Sequence, residues 1–391
     1  MRILTALTYY RPHISGLTIY TERLAKALVR RGHEVTILTS QYDPSTPKFE
    51  VRDGVKIVRA PVIMRVSKGV IMPTIGLIAT RLVLENEVVH LHLPQFDAAG
   101  IALRGRVLRK PTILTYHCDL KMPPGWFNRV ANHAINLMNH LAALSAHKII
   151  TYTEDYAHSS PYARRYSHKV YTILPPVELP PTTQDAICSF AQRINLDHRG
   201  PVIGMAARFA SEKGVELLLE ALPRILQEFP QAVVLYAGQY EDVLGEEEYY
   251  QRLLPVIKTY QSQGRWKFLG VLDPSQMAAF YPNLDVLVVP SLNSTESFGL
   301  VQIEAMMNGV PVVASDLPGV RQPILMTGMG LTFPAGESNA LSTAILSVLK
   351  NPEKYRVGFT DLAYRFSPDQ TAKAYEELFI EIKRQIGRPA T

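Results

Sequence analysis

Residues 284 to 315 read LDVLVVPSLNSTESFGLVQIEAMMNGVPVVAS and contain three successive predicted elements. The apolar run LDVLVVP (284–290) is typical of a buried parallel strand. A polar loop follows, then an apolar segment at helical spacing that begins near Phe298 or Gly299, and then the short apolar run PVVAS (311–315). The order strand, helix, strand predicts a βαβ unit of a parallel sheet with right-handed crossovers.

Strand and helix signals alternate along the chain in two sets. The first set runs from RILTALTYY (2–10) to HKIITYTE (147–154), and the second from PVIGMAAR (201–208) to PVVASD (311–316). Between them, ILPPVELPPTTQD (173–185) contains four prolines, and such segments behave as stiff linkers. We therefore predict an α/β protein of two doubly wound domains that face each other across a cleft, with ligands bound beyond the carboxyl ends of the strands.

The composition is that of a globular protein from a reducing compartment. A chain of 391 residues is long enough for two domains of roughly 180 residues. Its two cysteines, Cys118 and Cys188, lie far apart, which argues against a disulfide scaffold or a cysteine zinc site. The start MRILTALTYYRP lacks the apolar region of a signal peptide, and the longest uncharged apolar run (69–80) is shorter than the roughly 20 residues that span a bilayer. We expect a cytoplasmic protein.

Charge is distributed unevenly along the chain. Residues 1–178 contain 23 Lys and Arg against 12 Asp and Glu, whereas residues 179–391 contain 18 against 23. A basic first half indicates either an anionic partner, such as an acidic membrane or an anionic acceptor, or a soluble surface with lopsided charge.

Two cations of the second half lie where a predicted strand meets a helix. Arg208 ends the strand in GMAARFASEKG (204–214), and Lys213 and Gly214 precede the next helix. This pair could bind a diphosphate, the arginine through its planar fork and the lysine as a point charge. Glu212 could instead neutralise either cation in a surface ion pair.

Two acids lie near the start of the helix quoted above. The first N–H groups of a helix have no partner inside it, and the helix dipole adds about half a positive charge there, so this terminus can bind an anion. Glu304 lies further into the helix among apolar neighbours and needs hydrogen-bond donors, either sugar hydroxyls or a lysine partner. Glu296, in the loop, could accept hydrogen bonds from a second polyol. Together these features fit a nucleotide sugar, in which a diphosphate joins a ribose to a hexose.

The motifs RFASEKG (208–214) and FLGVLDPSQMAAFYPNLDVLVVPS (268–291), with the stretch quoted first, resemble the retaining GT-B glycosyltransferases of glycosyl transferases group 1 (family 4). The hallmark of that family is a Glu, seven residues and a second Glu, which correspond here to Glu296 and Glu304. The resemblance is dense over residues 200–340 and looser before them. It implies an acceptor-side domain of residues 1–178, to which a C-terminal helix (about 370–391) returns, and a donor-binding domain of residues 179–369.

The resemblance implies a role for each matching residue of the second half. Arg208 and Lys213 would bind the donor diphosphate, Glu304 the ribose hydroxyls and Glu296 the hydroxyls of the donor sugar. The base would lie beside the turn formed by Leu269, Gly270 and Val271. The phosphates and the sugar would lie against the backbone of Phe298, Gly299, Leu300 and Val301.

Fewer residues of the first half match the family. Gly16, in HISGLT (13–18), matches the glycine loop after the first strand, although only one glycine is present. His117, in LTYHCD (114–119), matches a histidine that touches the donor sugar. His90 and His92, in VVHLHLP (88–94), match the strand that leads toward the acceptor.

The predicted reaction needs neither a metal ion nor a cofactor. The sequence contains no D-x-D and no H-E-x-x-H, so the cations and the helix terminus must stabilise the leaving diphosphate of a UDP- or GDP-sugar. The acceptor, a sugar, a lipid or another small molecule, would attack the same face of the donor sugar and retain its configuration. Alternatives are a sugar phosphorylase or epimerase on a similar scaffold, and a non-catalytic nucleotide-sugar-binding module. A dinucleotide-binding protein is disfavoured because no G-x-G-x-x-G follows a strand. No nucleic-acid partner is predicted.

The segment PGWFNRVANHAINLMNHLAAL (124–144) has apolar residues at helical spacing. Such a helix could lie on a membrane surface beside a lipid-linked acceptor. It could instead be a core or cleft helix, and the lack of a cationic stripe favours this alternative. Because the first half of the chain is basic, peripheral contact with the inner face of an anionic membrane stays a hypothesis.

Overall fold

The computed structural model describes residues 1–66, 69–120, 125–196, 200–356 and 361–387. The chain divides into two compact units, Met1–Val177 with Tyr364–Thr391, and Glu178–Ala363. The first boundary lies within the proline-rich linker. The second boundary lies between Ala363 and Tyr364, a few residues before the predicted position near 370. After it, the chain returns to the first unit, where the backbone N–H of Val177 donates to the carbonyl of Phe366 (2.8 Å).

The first unit contains a mixed sheet with helices on its faces. Its strands are β1 (Arg2–Ala6), β2 (Glu34–Gln41), β3 (Phe49–Arg52), β4 (Val55–Pro61), β5 (Met64–Val66), β6 (Gly69–Ile71), β7 (Val88–Leu93), β8 (Thr112–Tyr116), β9 (Lys148–Thr151) and β10 (Val170–Thr172). Its helices are α1 (Gly16–Arg30), α2 (Ile75–Glu85), α3 (Ala98–Val107), α4 (Trp126–Ser145), α5 (Glu154–Ser159) and α6 (Pro161–Arg165). The main sheet has the order β10-β9-β8-β7-β1-β2-β4-β3, and only β3 runs antiparallel to its neighbour. Hairpin β5–β6 forms a separate sheet.

The second unit contains a wholly parallel sheet. Its strands are β11 (Val202–Ala206), β12 (Val233–Ala237), β13 (Trp266–Gly270), β14 (Val286–Val289), β15 (Val312–Ser315) and β16 (Gly330–Phe333). Its helices are α7 (Gln184–Arg193), α8 (Val215–Glu228), α9 (Glu247–Ser262), α10 (Pro274–Phe280), α11 (Leu300–Met307), α12 (Gln322–Thr327), α13 (Ser338–Lys350) and α14 (Pro352–Tyr355). The order β13-β12-β11-β14-β15-β16 is that of a doubly wound Rossmann sheet. The direction of winding reverses between β11 and β14, so the loops after these two strands meet at the usual ligand-binding point of such a sheet.

The chain ends with α15 (Leu362–Arg365) and α16 (Pro368–Gly387). Helix α16 packs against α1 and contributes Tyr375, Phe379 and Ile382 to the core of the first unit. Residues 388–391 of the predicted terminal helix lie outside the described residues.

Helix α4 occupies most of the segment that was predicted as a helix from 124 to 144; residue 124 lies outside the described residues. Within the described ranges, no helix is both long enough and apolar enough to cross a membrane.

Candidate active site

The loop between β11 and α8 carries both predicted cations of the second unit. Arg208 follows the strand, and its Nη2 lies 2.9 Å from Oε1 of Glu212. A 3₁₀ turn (Ser211–Lys213) then leads to Gly214. The predicted surface pairing of Glu212 therefore exists, but with Arg208 rather than with Lys213.

Gly214, at the end of this loop, packs closely against Pro290, the residue that follows β14. Its φ is +68°, and a Cβ at this position would lie 2.1 Å from the carbonyl oxygen of Pro290. Only glycine tolerates both the left-handed conformation and this close approach. The backbone N–H of Leu292 also donates to the carbonyl of Glu212 (2.9 Å). The two loops are therefore held together by their backbones before any ligand is considered.

Lys213 and Glu296 form an ion pair across these two loops. Nζ of Lys213 lies 2.7 Å from Oε2 of Glu296, and the two side chains are 19% and 22% exposed. Burial lowers the pKa of Lys213, but the carboxylates of Glu296 and, to a smaller extent, Glu212 together raise it by more, so the pKa lies above its ordinary value. The ammonium group is thus charged at neutral pH and fixed in direction.

Helix α11 begins two residues after Phe298, the earliest predicted start, and one residue after Gly299. Gly299 is its N-cap with φ +79°, and Leu300 is its first residue. The buried amide of Gln302 donates to the carbonyls of Phe298 (2.7 Å) and Val320 (2.9 Å). This amide fixes the entry loop, a role that the sequence alone did not indicate.

Glu304 lies on α11 and is nearly buried. The hydroxyl of Tyr281 donates to its Oε2 at 2.6 Å. Tyr281 belongs to a 3₁₀ turn (Tyr281–Asn283) directly after α10. The predicted need of this carboxylate for a donor is thus met in part by a tyrosine, which was not foreseen.

The turn predicted to flank a base lies at the end of β13. Gly270 has φ +70°, and its carbonyl accepts a hydrogen bond from the N–H of Gly238 (2.8 Å). Leu269 and Val271 line a cavity of about 630 Å³ that extends along β13 to Arg193. The predicted base-binding turn therefore borders open space within the second unit.

In the first unit, His117 lies just beyond β8 and both of its ring nitrogens have partners. Its Nε2 lies 2.8 Å from Nδ1 of His92, and its Nδ1 forms a hydrogen bond with the hydroxyl of Tyr152. All three side chains are buried. His92, predicted as part of an acceptor-side strand, thus orients His117, and Tyr152 was not foreseen.

A second hydrogen-bonded chain runs beside the first. Nε2 of His90 lies 2.7 Å from Oγ1 of Thr115, which lies 2.6 Å from the hydroxyl of Tyr375 on α16. That hydroxyl is 2.8 Å from the hydroxyl of Tyr20 on α1. Burial lowers the pKa of His90 and of His117 to about 3, so both rings are neutral at pH 7.

Gly16 is the first residue of α1, after the N-cap Ser15, whose Oγ accepts a hydrogen bond from the N–H of Thr18. A Cβ on Gly16 would meet no atom within 4 Å. The amino end of this 15-residue helix therefore borders open space, and no close contact requires a glycine at this position. Among the described residues, no group of three or more His, Cys, Asp or Glu could hold a metal ion.

The two α/β units define the class of protein. The fold resembles that of Anabaena HepE in complex with UDP and glucose, with a TM-score of 0.74 over 96% of this chain and 98% of that chain, at 18% identity. The architecture is GT-B, with two Rossmann-like domains.

Two family models match the two halves of the chain. The model of glycosyl transferases group 1 matches residues 189–361, and that of the glycosyl transferase 4-like domain matches residues 15–160. A phosphatidyl-myo-inositol mannosyltransferase of Mycobacterium leprae is 26% identical over 372 residues, which cover 92% of each chain. An uncharacterized glycosyltransferase of Methanocaldococcus jannaschii is 27% identical over 411 residues, 99% of this chain and 100% of the relative. The matches indicate a GT-B glycosyltransferase of group 1.

Proposed function

We propose that the protein is a retaining, metal-independent glycosyltransferase that moves a sugar from a nucleotide diphosphate sugar to an acceptor hydroxyl. The observation that carries this proposal is the Lys213–Glu296 pair at the switch point of the second sheet. The pair puts a fixed positive charge beside a carboxylate that can accept hydrogen bonds from sugar hydroxyls, and α11 begins four residues after Glu296.

In this proposal each part of the donor has its own partner. Arg208, Lys213 and the N–H groups at the start of α11 bind the diphosphate. Glu304, oriented by Tyr281, accepts hydrogen bonds from the ribose hydroxyls. Glu296 accepts hydrogen bonds from hydroxyls of the transferred sugar. The base lies against the 269–271 turn, and His117 contributes to the sugar site.

The bond between the anomeric carbon and the leaving phosphate oxygen breaks while the acceptor oxygen bonds to the same face of that carbon. The acceptor proton passes to the leaving diphosphate. Negative charge on that diphosphate grows as the bond breaks, so fixed cations lower the barrier by stabilising the transition state more than the bound donor.

The proposal includes a cytoplasmic location, no cofactor and a sugar, lipid or other small-molecule acceptor. The Mycobacterium leprae relative is named for mannosyl transfer to phosphatidyl-myo-inositol, which supports a hydroxyl-bearing polar acceptor. Peripheral contact with an anionic membrane is also part of the proposal.

Transfer assays with EDTA present test the reaction. We expect release of a nucleoside diphosphate from one of the UDP-, GDP- or ADP-sugars in EDTA, after thermal shift has selected the donor that stabilises the protein by binding. Nuclear magnetic resonance of the product should show the anomeric configuration of the donor. Inverted product, or transfer that requires added divalent metal, would overturn the proposed mechanism.

Replacement of Tyr281 by Phe tests the role of Glu304. Removing the hydroxyl leaves a nearly buried carboxylate with one donor fewer, so we expect about 1–2 kcal/mol lower stability and about three- to tenfold weaker binding of the nucleoside diphosphate. Calorimetric titration measures the affinity, and Tyr260→Phe on α9 is the matched control. Equal affinities for the two variants would contradict the assignment of Glu304.

A further inference from the structure

Helix α4 has an apolar stripe on its outer side. Five large apolar side chains on it are exposed: Trp126, Val130, Leu137, Leu141 and Leu144. At about 100° per residue, they fall within about 60° of one another around the helix axis. The opposite side, with Asn139, Ala142 and Ala143, is buried. The stripe therefore lies on the surface of the first unit, so this helix is not enclosed in the core, which was one of the placements that the sequence left open.

Neighbouring helices continue this apolar surface. Leu103 and Val107 on α3 are exposed, as are Leu77 and Leu84 on α2. Helix α3 packs against both α2 and α4. The buried sides of all three helices enter one core cluster on the same side of the sheet, so their outer sides face the same way. We call these nine exposed apolar residues the α2–α4 face.

Charge accompanies the apolar residues. Neither α3 nor α4 contains an Asp or Glu, while Arg106 on α3 and Arg129 on α4 are exposed. On α2, Arg81 lies between Leu77 and Leu84 and pairs with Glu85 (3.0 Å). A soluble protein rarely exposes an apolar surface of this extent without a partner, and cations beside it favour a partner that is both apolar and anionic.

We propose that the α2–α4 face docks on a lipid bilayer that contains anionic headgroups. The apolar side chains would enter the boundary between headgroups and acyl chains, and Arg106 and Arg129 would bind lipid phosphates. A second copy of this chain fits the face less well, because a two-fold contact would bring together the arginines of α3 and α4, which carry no acid, while the acid of α2, Glu85, already pairs with Arg81. The inference rests on the peripheral membrane contact of the proposed function and assigns that contact to a surface; it does not depend on the mechanism of transfer.

Trp126 makes this docking directly measurable. The chain contains two tryptophans; Trp126 is 79% exposed, whereas Trp266, in the second unit, is 1% exposed. We expect vesicles of phosphatidylcholine mixed with phosphatidylglycerol, at low salt, to shift the emission of Trp126 to shorter wavelength and to co-sediment with the full-length protein. Phosphatidylcholine vesicles alone should bind at least about tenfold more weakly. Trp126→Phe should keep the co-sedimentation and lose the spectral shift.

Paired variants distinguish docking through the α2–α4 face from nonspecific adsorption to lipid. Leu137→Ser with Leu141→Ser should lower the vesicle affinity at least about tenfold, because the apolar area that enters the lipid is lost. Val256→Ser with Leu325→Ser, which alters exposed apolar residues of the second unit, should leave the affinity unchanged. Donor hydrolysis in detergent-free buffer should be the same for all variants, which separates this inference from the proposed function.

Three results would overturn the inference. One is no binding to anionic vesicles at low salt, and another is equal binding by both pairs of variants. The third is a concentration-dependent dimer that Leu137→Ser with Leu141→Ser abolishes while no variant binds lipid, which would assign the face to a second copy of the chain.

Discussion

Lys213→Ala is expected to lower kcat by about a hundred- to a thousandfold, the loss typical of removing one group that stabilises transition-state charge. The loss should appear in kcat more than in KM, because the leaving diphosphate gains charge only as its bond breaks. Steady-state kinetics with the donor selected by thermal shift measures both constants. Arg208→Ala should have an effect in the same direction, since its guanidinium lies on the same loop.

The matched control for this variant is Lys350→Ala. Lys350 pairs with Glu228 at 2.8 Å in the same unit, but both side chains are 49% exposed, and exposed pairs contribute little. We expect near-normal kinetics and stability for this variant. Near-normal turnover by both Lys213→Ala and Arg208→Ala would refute the proposed role of the two cations.

A double variant distinguishes chemistry from folding. Lys213→Ala leaves Glu296 as a largely buried carboxylate without its lysine, which destabilises the fold by itself. Lys213→Ala with Glu296→Gln removes that stranded charge, so stability should return while kcat stays low. Recovery of kcat together with stability would show that the lysine has only a structural role.

The second half of the chain was predictable because its alternating strands and helices are typical of one kind of sheet, and because its motifs resemble a family that has that sheet. Strictly alternating strands and helices imply a doubly wound sheet, in which the loops after the first and fourth strands meet. Arg208, Lys213 and Glu296 therefore had to approach one another. What the sequence left open was the pairing: Glu212 could bind either cation, and the choice depends on Gly214, whose backbone lies against Pro290 and turns Lys213 toward Glu296.

Partners from distant segments could not be predicted. Tyr281 donates to Glu304 because the turn before β14 and the helix after it lie side by side, and no local pattern marks that contact. His92 reaches His117 because β7 and β8 are neighbours, with His92 opposite Thr115. That register follows from strand order, which a single sequence does not fix.

The sequence also did not determine which side of helix α4 faces solvent. Periodicity predicted an amphipathic helix at α4, but periodicity alone does not show whether a given apolar stripe is buried. The small residues Ala142 and Ala143 face the core, and the larger Leu137 and Leu141 face outward. The lack of a cationic stripe in the sequence had favoured a core or cleft helix.

The first unit is expected to lose stability steeply as the pH falls below about 6.5, because three buried histidines are neutral in the folded state. Burial lowers the pKa of His90 and His117 to about 3 from an ordinary value of 6.5, and it lowers that of His92 well below 6.5. Between these values the unfolded chain binds protons that the folded chain does not, so the free energy of unfolding decreases as the pH decreases. Three such groups give a slope of up to about 4 kcal/mol per pH unit. Stability from these groups is fully present above pH 6.5.

His92→Gln tests this dependence, because it removes one of the three titrating rings. The slope between pH 6 and pH 4 should fall by up to about 1.4 kcal/mol per pH unit, although the variant is less stable at pH 8 through the lost contact with His117. Hydrogen exchange of peptides from β7 and β8 reports on this unit alone, which avoids treating the two units as one transition. His158→Gln, at an exposed position, should keep the slope of the unaltered protein. An identical slope for His92→Gln would mean that the buried rings accept protons without unfolding, so that the His92–His117 contact adapts to charge instead of excluding it.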